Sequence, residues 1–454
     1  MDRMKNNMLE GRLLPAIIHY TIPVILTSVF QLLFNAVDLV VVGYFCGSAS
    51  VGAVGATNAV TNLIINLFVG LSVGTGVAVA HGLGRRDEEE VRSTVHTALP
   101  MALVGGVILT VVGITVSEPL LRLLDTPAEL LPLSATYMKV YFGGITFTVV
   151  YNFCAAILRA AGDTRSPLRI LMKAGGLNVG LNLVFVTVFH MNVAGVALAT
   201  IMAQGLSAVL VVRTLVLRKD LVHLDLRKLR FHGPQMLKII RIGLPAGIQG
   251  SMFSLSNATI QSAINSFGDV FVAGNAAAAS IEGFMYVAIN SFNQAAVNFV
   301  GRNVGAKQHH RAARAVVTCM ACATTVGLIM SILIRLVGEN LLGIYITDSP
   351  QSIADGMMRL TYVCSFYFLV GLMDVSTGAL RGYGASVVPM IICLLGVCGI
   401  RIGWVNTIFR MPGFNTPQCL YMSYPVSWFL TFVAQFTVFL VATRKYRHME
   451  KTIQ

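Results

Sequence analysis

Asp38 is the residue that most demands a chemical reason. It lies in LPAIIHYTIPVILTSVFQLLFNAVDLVVVGY, residues 14–44, a stretch long and apolar enough to cross a bilayer. A carboxylate inside a membrane span costs roughly 2.5 to 3.5 kcal/mol on insertion scales, so it normally faces protein or water and serves a function. The chemistry open to a lone buried carboxylate is cation binding, whether of a proton, a metal ion or an organic ammonium group. Gln31, Asn35 and Asp38 are spaced i, i+4 and i+7, which places them on one face of a helix. Pro23, on the same span, removes a backbone hydrogen bond and eases a bend. The plainer alternatives for Asp38 are capping the outer end of the span or pairing with a buried cation.

Amides form the next pattern. Asn58, Asn62 and Asn66 recur at i+4, as do Asn257, Gln261 and Asn265, and again Asn290, Gln294 and Asn298. Amides in lipid need partners, either as interhelical glue or as the lining of a water-filled cavity. On the second reading, Asn58, Asn62, Gln261, Asn290 and Gln294 line a substrate cavity. Asp374 and Arg401 are expected to form a neutralising buried pair, and Lys173 to snorkel to the headgroups. No role follows for Glu282. His81 and Asp87 are the nearest approach to a catalytic pair, but no second acid or serine stands in reach, so an enzyme is not expected. No G-x-x-x-x-G-K-[ST] motif is present for ATP hydrolysis. Cys319 and Cys322 form a C-x-x-C inside an apolar helix with no histidine partner, which points away from metal or redox chemistry.

The elements that must position these residues are membrane helices. Only 12% of the 454 residues are charged, about half the usual share for a soluble domain, and the mean hydropathy is +0.73. Segments long enough to span recur near 14–43, 52–80, 95–117, 134–158, 167–190, 193–213, 238–266, 271–299, 313–337, 356–380, 385–409 and 422–443. The leading MDRMKNNMLEGR is polar and the run behind it far exceeds an h-region, so no cleavable signal peptide is expected. Most of the 33 basic residues fall in alternate connections, on the side that also holds both ends of the chain. The positive-inside rule then puts both termini in the cytoplasm of a cell-membrane protein. The net charge of +13 is accordingly a topology signal rather than a nucleic-acid surface.

The one long polar connection, RTLVLRKDLVHLDLRKLRFHGPQMLKIIR, separates six spans from six. A shift of 222 residues superimposes Pro23 on Pro245, Arg159 on Arg381 and Pro167 on Pro389; the turns HGLGRRDEEEVR and GRNVGAKQHHRA align at an offset one smaller. Ordered matches of this kind indicate duplication. Because six is even, the halves share one orientation. The expected fold is all-α and integral to the membrane, with twelve transmembrane helices in two six-helix lobes related by a pseudo-twofold axis along the membrane normal. The lobes are placed at 1–217 and 235–454, with a cytoplasmic linker at 218–234 and a cavity between them. Asp38 maps onto Ile260, and Asn178 and Asn182 map onto Ile400 and Trp404, so the polar centre belongs to one lobe only.

Taken in order, the kinked first span ending VDLVVVG, the LRAAGDTRSP turn, LNVGLN, AGVALAT and the second-half echo ALRGYG resemble the MATE (multidrug and toxic compound extrusion) family. The resemblance covers nearly the whole chain. It implies a cation site built from Asp38, Asn178, Asn182 and Thr200, with Pro23 as hinge and Gln31 and Asn35 in support. Some members carry a second aspartate where this chain has Asn182. Others have a glutamate early in the seventh span, where this chain reads GIQGSMFSLSN with no acid.

The implied function is export of organic cations and other amphipathic drugs by a monomeric antiporter working by alternating access. The coupling ion is H⁺ or Na⁺, held in the second case by the same four residues, and no cofactor is expected. The alternative from the same superfamily is a flippase of lipid-linked saccharides. Such flippases tend to line their cavity with basic residues, whereas here the basic residues lie mainly in the loops.

Overall fold

The computed structural model describes residues 8–123, 126–346 and 349–453, without the side chains of residues 48, 58–60, 123 and 445–453. Its elements are α1 (Leu13–Cys46), α2 (Ser48–Arg85), α3 (Glu88–Leu123), α4 (Leu131–Gly143), α5 (Ile145–Ala160), α6 (Arg165–Leu183), α7 (Asn192–Val216) and α8 (Gly233–Asn265). There follow α9 (Asp269–Gly305), α10 (His309–Tyr345), α11 (Pro350–Arg359), α12 (Tyr367–Gly382), α13 (Val387–Cys393), α14 (Ile400–Asn406) and α15 (Pro417–Ile453). The described residues contain no strand. In hydrocarbon each backbone N–H and C=O must be satisfied within its own segment, and helices do this.

These helices make the twelve expected spans. Among the described residues, nine helices are long and apolar enough to cross a membrane on that criterion alone, and counting each of the bent pairs α4–α5 and α11–α12 as one span raises the number to eleven. The twelfth is α8, which has the length but whose run of glycine, serine and amide residues lowers its hydropathy. Short π-helical segments at Val184–Val188, Leu360–Cys364 and Leu394–Gly399 continue α6, α11 and α13.

The duplication is written in the backbone. Left-handed residues recur in matched pairs: Gly47 and Gly268, Arg86 and Lys307, Gly162 and Gly384. The first two pairs are 221 positions apart and the third 222. The α4–α5 break bends by 47° at Gly144, and its counterpart by 45° near Phe366. The turn between α2 and α3 shows the local cause. Arg86, at φ 58°, ends α2. Asp87 Oδ1 then accepts the Glu90 N–H at 2.9 Å. Glu88, Glu89 and Glu90 follow in the first turn of α3, where the helix dipole favours negative charge.

The chain divides into two compact units. The first comprises residues 22–248, and the second joins the segment ending at Thr21 to residues 249–454. This division differs from the expected 1–217 and 235–454. Both crossovers occur inside helices, one residue before Pro23 in α1 and a few residues after Pro245 in α8. The segment expected to be a linker packs on the first unit. Val222 and Leu224 are buried, Arg218 reaches Asp163 at 2.9 Å and Asp220 at 2.8 Å, and Asp225 N–H donates to His96 Nε2 at 3.1 Å. Burial opposes the Arg218 charge, but its bonds to Asp220 and Asp163 outweigh burial and hold the guanidinium above its ordinary value.

In the first unit α8 begins against α2. Lys238 binds Glu90 at 2.8 Å, and glycines Gly70 and Gly74 of α2 face Gly243 and Gly247 of α8. A Cβ on any of the four would meet backbone of the other helix, so glycine at these sites is what allows the close approach. In the second unit Arg311 gathers the segment before α1. Its Nε donates to the Met8 carbonyl at 3.2 Å, Nη1 to Gly11 at 2.9 Å and Nη2 to Glu10 at 2.8 Å.

Candidate functional site

The first unit brings Asp38 to Asn178, Asn182 and Thr200. Valines set the meeting: Val41 and Val42 of α1 bury against Val186, after α6, and Val196 of α7, forming a small apolar cluster. Gly175 of α6 lies under the Phe34 ring, where a Cβ would collide with it. Asn178 and Asn182, one turn apart on α6, and Thr200 on α7 then face the last turns of α1.

Hydrogen bonds link all four residues. Asn182 Nδ2 donates to Asp38 Oδ1 and also lies 3.3 Å from Asn178 Oδ1. Thr200 Oγ1 lies 3.3 Å from Asp38 Oδ2 and 3.0 Å from the Val196 carbonyl, and its single proton is shared between them. Asn178 Nδ2 donates to Thr200 Oγ1 at 3.3 Å. Asn178 and Asn182 are buried, at 5% and 0% exposure. Asn182 Oδ1 has no hydrogen-bond partner. The set therefore offers one carboxylate with carbonyl and hydroxyl oxygens, a donor set suited to hard cations, and Asn182 Oδ1 is the oxygen in it that is left to accept.

The other expected site residues are placed as follows. Gln31 and Asn35 lie exposed on α1 and do not join the Asp38 network. Pro23 lies within a continuous helix. Its carbonyl accepts from Thr27 Oγ1 at 2.7 Å, while Thr21 Oγ1 bonds the Ile17 carbonyl at 2.7 Å. The side chain of Asn58 lies outside the described residues, and Asn62 is exposed. Gln261, also exposed, donates to Asn265 at 2.9 Å. Asn290 Nδ2 donates to Asp374 Oδ2 at 3.3 Å, and Gln294 is half-buried, its carbonyl taken by Asn298 at 2.8 Å.

One expectation is corrected. Asp374 and Arg401 do not pair. Asp374 takes its bond from Asn290. Arg401 Nε donates to Ser427 at 3.1 Å and Nη1 to Asn257 at 3.3 Å, and its guanidinium lies 4.2 Å from the centre of the Tyr424 ring. Hydroxyl, amide and aromatic face replace the carboxylate. The second unit's buried ion pair is instead Glu282 with Arg359, at 2.6 Å. Arg359 Nη1 also donates to Asn275 Oδ1 at 2.7 Å, and Tyr367 donates to Glu282 Oε1 at 3.2 Å. Ile260, which corresponds to Asp38, is 1% exposed within the second unit's apolar core. Among the described residues, the Asp38 arrangement is therefore not repeated at the corresponding position of the second unit.

The family model described as MatE matches residues 23–184 and again 245–405. The chain belongs to the MATE family. The two matches begin at Pro23 and Pro245, the same pair that marks the internal repeat. MATE proteins are multi-pass membrane transporters, and this chain is a transporter of that kind rather than an enzyme. It is 28% identical over 392 residues to the probable multidrug resistance protein YpnP of Bacillus subtilis, covering 86% of this chain and 87% of that one. It is 26% identical over 400 residues to the probable multidrug resistance protein NorM of Thermotoga maritima, covering 85% and 83%. Its fold is similar to a solved outward-facing conformation of a multidrug resistance MATE family transporter of the MOP superfamily, with a TM-score of 0.90, 22% identity, and 97% and 98% of the two chains covered.

Proposed function

We propose that this MATE protein is an antiporter that exports amphipathic organic cations by alternating access, coupled to H⁺ or Na⁺ through Asp38, Asn178, Asn182 and Thr200. The observation that carries the reading is the Asp38 network with its orphan oxygen on Asn182. An ionised Asp38 accepts from Asn182 and Thr200. A proton on Asp38 turns one acceptor oxygen into a donor, and a Na⁺ beside it needs oxygens in place of N–H groups. Either cation therefore calls for the same local event, a reversal of the Asn182 amide that brings Oδ1 into use.

That event breaks the bond joining α6 to α1, so loading is transmitted as a change in how α1 packs. Pro23 is the hinge in this reading. It lacks the N–H that would complete the ladder, and threonine hydroxyls bonded back to helix carbonyls on either side of it favour bending. The relatives' designations as multidrug resistance proteins support drug-like substrates. A carboxylate among amides in apolar surroundings suits organic cations, with Asn62, Gln261, Asn290 and Gln294 as candidate substrate contacts. The working unit is a monomer in the plasma membrane with both termini in the cytoplasm, consistent with the distribution of basic residues.

The test is efflux of a fluorescent cationic dye from proteoliposomes on which a pH gradient and a Na⁺ gradient are imposed separately. A response to one gradient identifies the ion. Absence of any response to both removes the antiporter reading.

A further inference from the structure

A cavity of about 460 Å³ opens at the basic side of the second unit, between the chain entering α1 and the first turns of α10. Arg12, His310, Arg311 and Arg314 line it together with Leu13 and Leu14. Arg12, His310 and Arg314 are exposed, while Arg311 is held in place as the clamp on the Met8, Glu10 and Gly11 carbonyls. Glu10 is the neighbouring carboxylate and offsets one of these charges; the positive excess remains. The surfaces leading away from the cavity are apolar. Leu14 and Ile18, one turn apart on α1, are 50% and 41% exposed, and Val317, on the α10 face that carries His310 and Arg314, is 59% exposed.

We infer that this cavity binds the phosphodiester headgroup of an anionic phospholipid, with Arg12 and Arg314 as its charge partners and Leu14, Ile18 and Val317 as the start of the acyl-chain path. Planar guanidinium groups match phosphate oxygens in a fork. The volume exceeds what a single inorganic ion requires, and an exposed apolar ridge one turn from the cations gives a lipid, but not free phosphate, a second point of contact. A bound headgroup would bridge the start of α1 to α10 at the place where Arg311 already ties them.

The experiment uses the purified full-length protein in detergent, titrated with phosphatidylglycerol, with phosphatidylcholine of the same acyl chains, or with inorganic phosphate, while thermal unfolding is followed. Phosphatidylglycerol is expected to raise the melting temperature, and the other two to leave it unchanged. The double variant Arg12→Gln/Arg314→Gln is expected to melt normally without lipid, but to need about tenfold more phosphatidylglycerol for half its effect. Should the double variant fail to fold, Arg314→Gln alone is expected to shift the titration about threefold. An equal response to phosphatidylcholine, an equal response to inorganic phosphate, or an unshifted titration in the variants would each overturn the assignment.

Discussion

Asn182, fully buried on α6, donates its side-chain amide to Asp38 of α1 and leaves its own Oδ1 without a partner. The bond joins residues 144 positions apart. It fixes the orientation of the amide through the charge of the carboxylate.

Asp38→Asn removes the charge while keeping the shape. The variant is expected to reach the membrane in normal amounts and to lose gradient-driven dye efflux down to the level of empty vesicles. Wild-type efflux rates in proteoliposomes would remove Asp38 from the coupling site.

Asn182→Asp adds a second carboxylate to a site that has one. Cation affinity in oxygen sites rises with ligand charge, so Na⁺ is expected to stabilise this variant at concentrations on the order of tenfold lower than it needs in the unsubstituted protein. Melting curves over a Na⁺ series at constant ionic strength provide the measurement, and overlapping curves for the two proteins would count against a shared cation site.

Glu282→Gln leaves Arg359 buried without its carboxylate. Breaking one partner of a buried ion pair costs about 3–5 kcal/mol. A large fall in melting temperature and yield is therefore expected. Replacing both by methionine should recover most of the loss, because Asn275 still receives the Tyr421 hydroxyl at 3.0 Å. If the single and double variants melt alike, the pair is not the source of the loss.

Gly247→Ala places a Cβ against the α2 backbone, 2.7 Å from Leu67 Cα. Backbone cannot move aside as a rotamer can, so a loss of about 1–3 kcal/mol or more is expected. Gly205→Ala in α7 is the control. Its nearest contact is the Phe147 ring at 3.6 Å, and the better helix propensity of alanine makes the change neutral or mildly stabilising, by up to about 1 kcal/mol. Thermal unfolding of the two variants side by side should separate them clearly.

How much of this was legible beforehand divides by physical cause. The spans were readable because lipid-facing helices must be apolar on their outer faces, and the repeat was readable because two prolines, an arginine and a turn motif recur in the same order in both halves. The α4–α5 and α11–α12 bends were not, since neither Gly144 nor Phe366 announces a 45–47° break. Glu282 and Arg359 were visible as charges but not as a pair, because their bond spans 77 positions. The partners of Arg401 are a hydroxyl, an amide and an aromatic face, none of which carries a distinctive spacing in the sequence.

Asp38 illustrates both sides. The amino-acid sequence by itself determined that a carboxylate stands in a membrane span and that the duplicated half replaces it with Ile260. These follow from residue type and order, which hydropathy and repetition expose. Only the tertiary structure decided which atoms meet: that Asn182 rather than Gln31 or Asn35 bonds Asp38, and that α1 divides between two units next to Pro23. Contacts between residues far apart in the chain depend on how helices pack, and packing is settled by fitted shapes such as the valine cluster beside Asp38 and the facing glycines of α2 and α8, which no local pattern records.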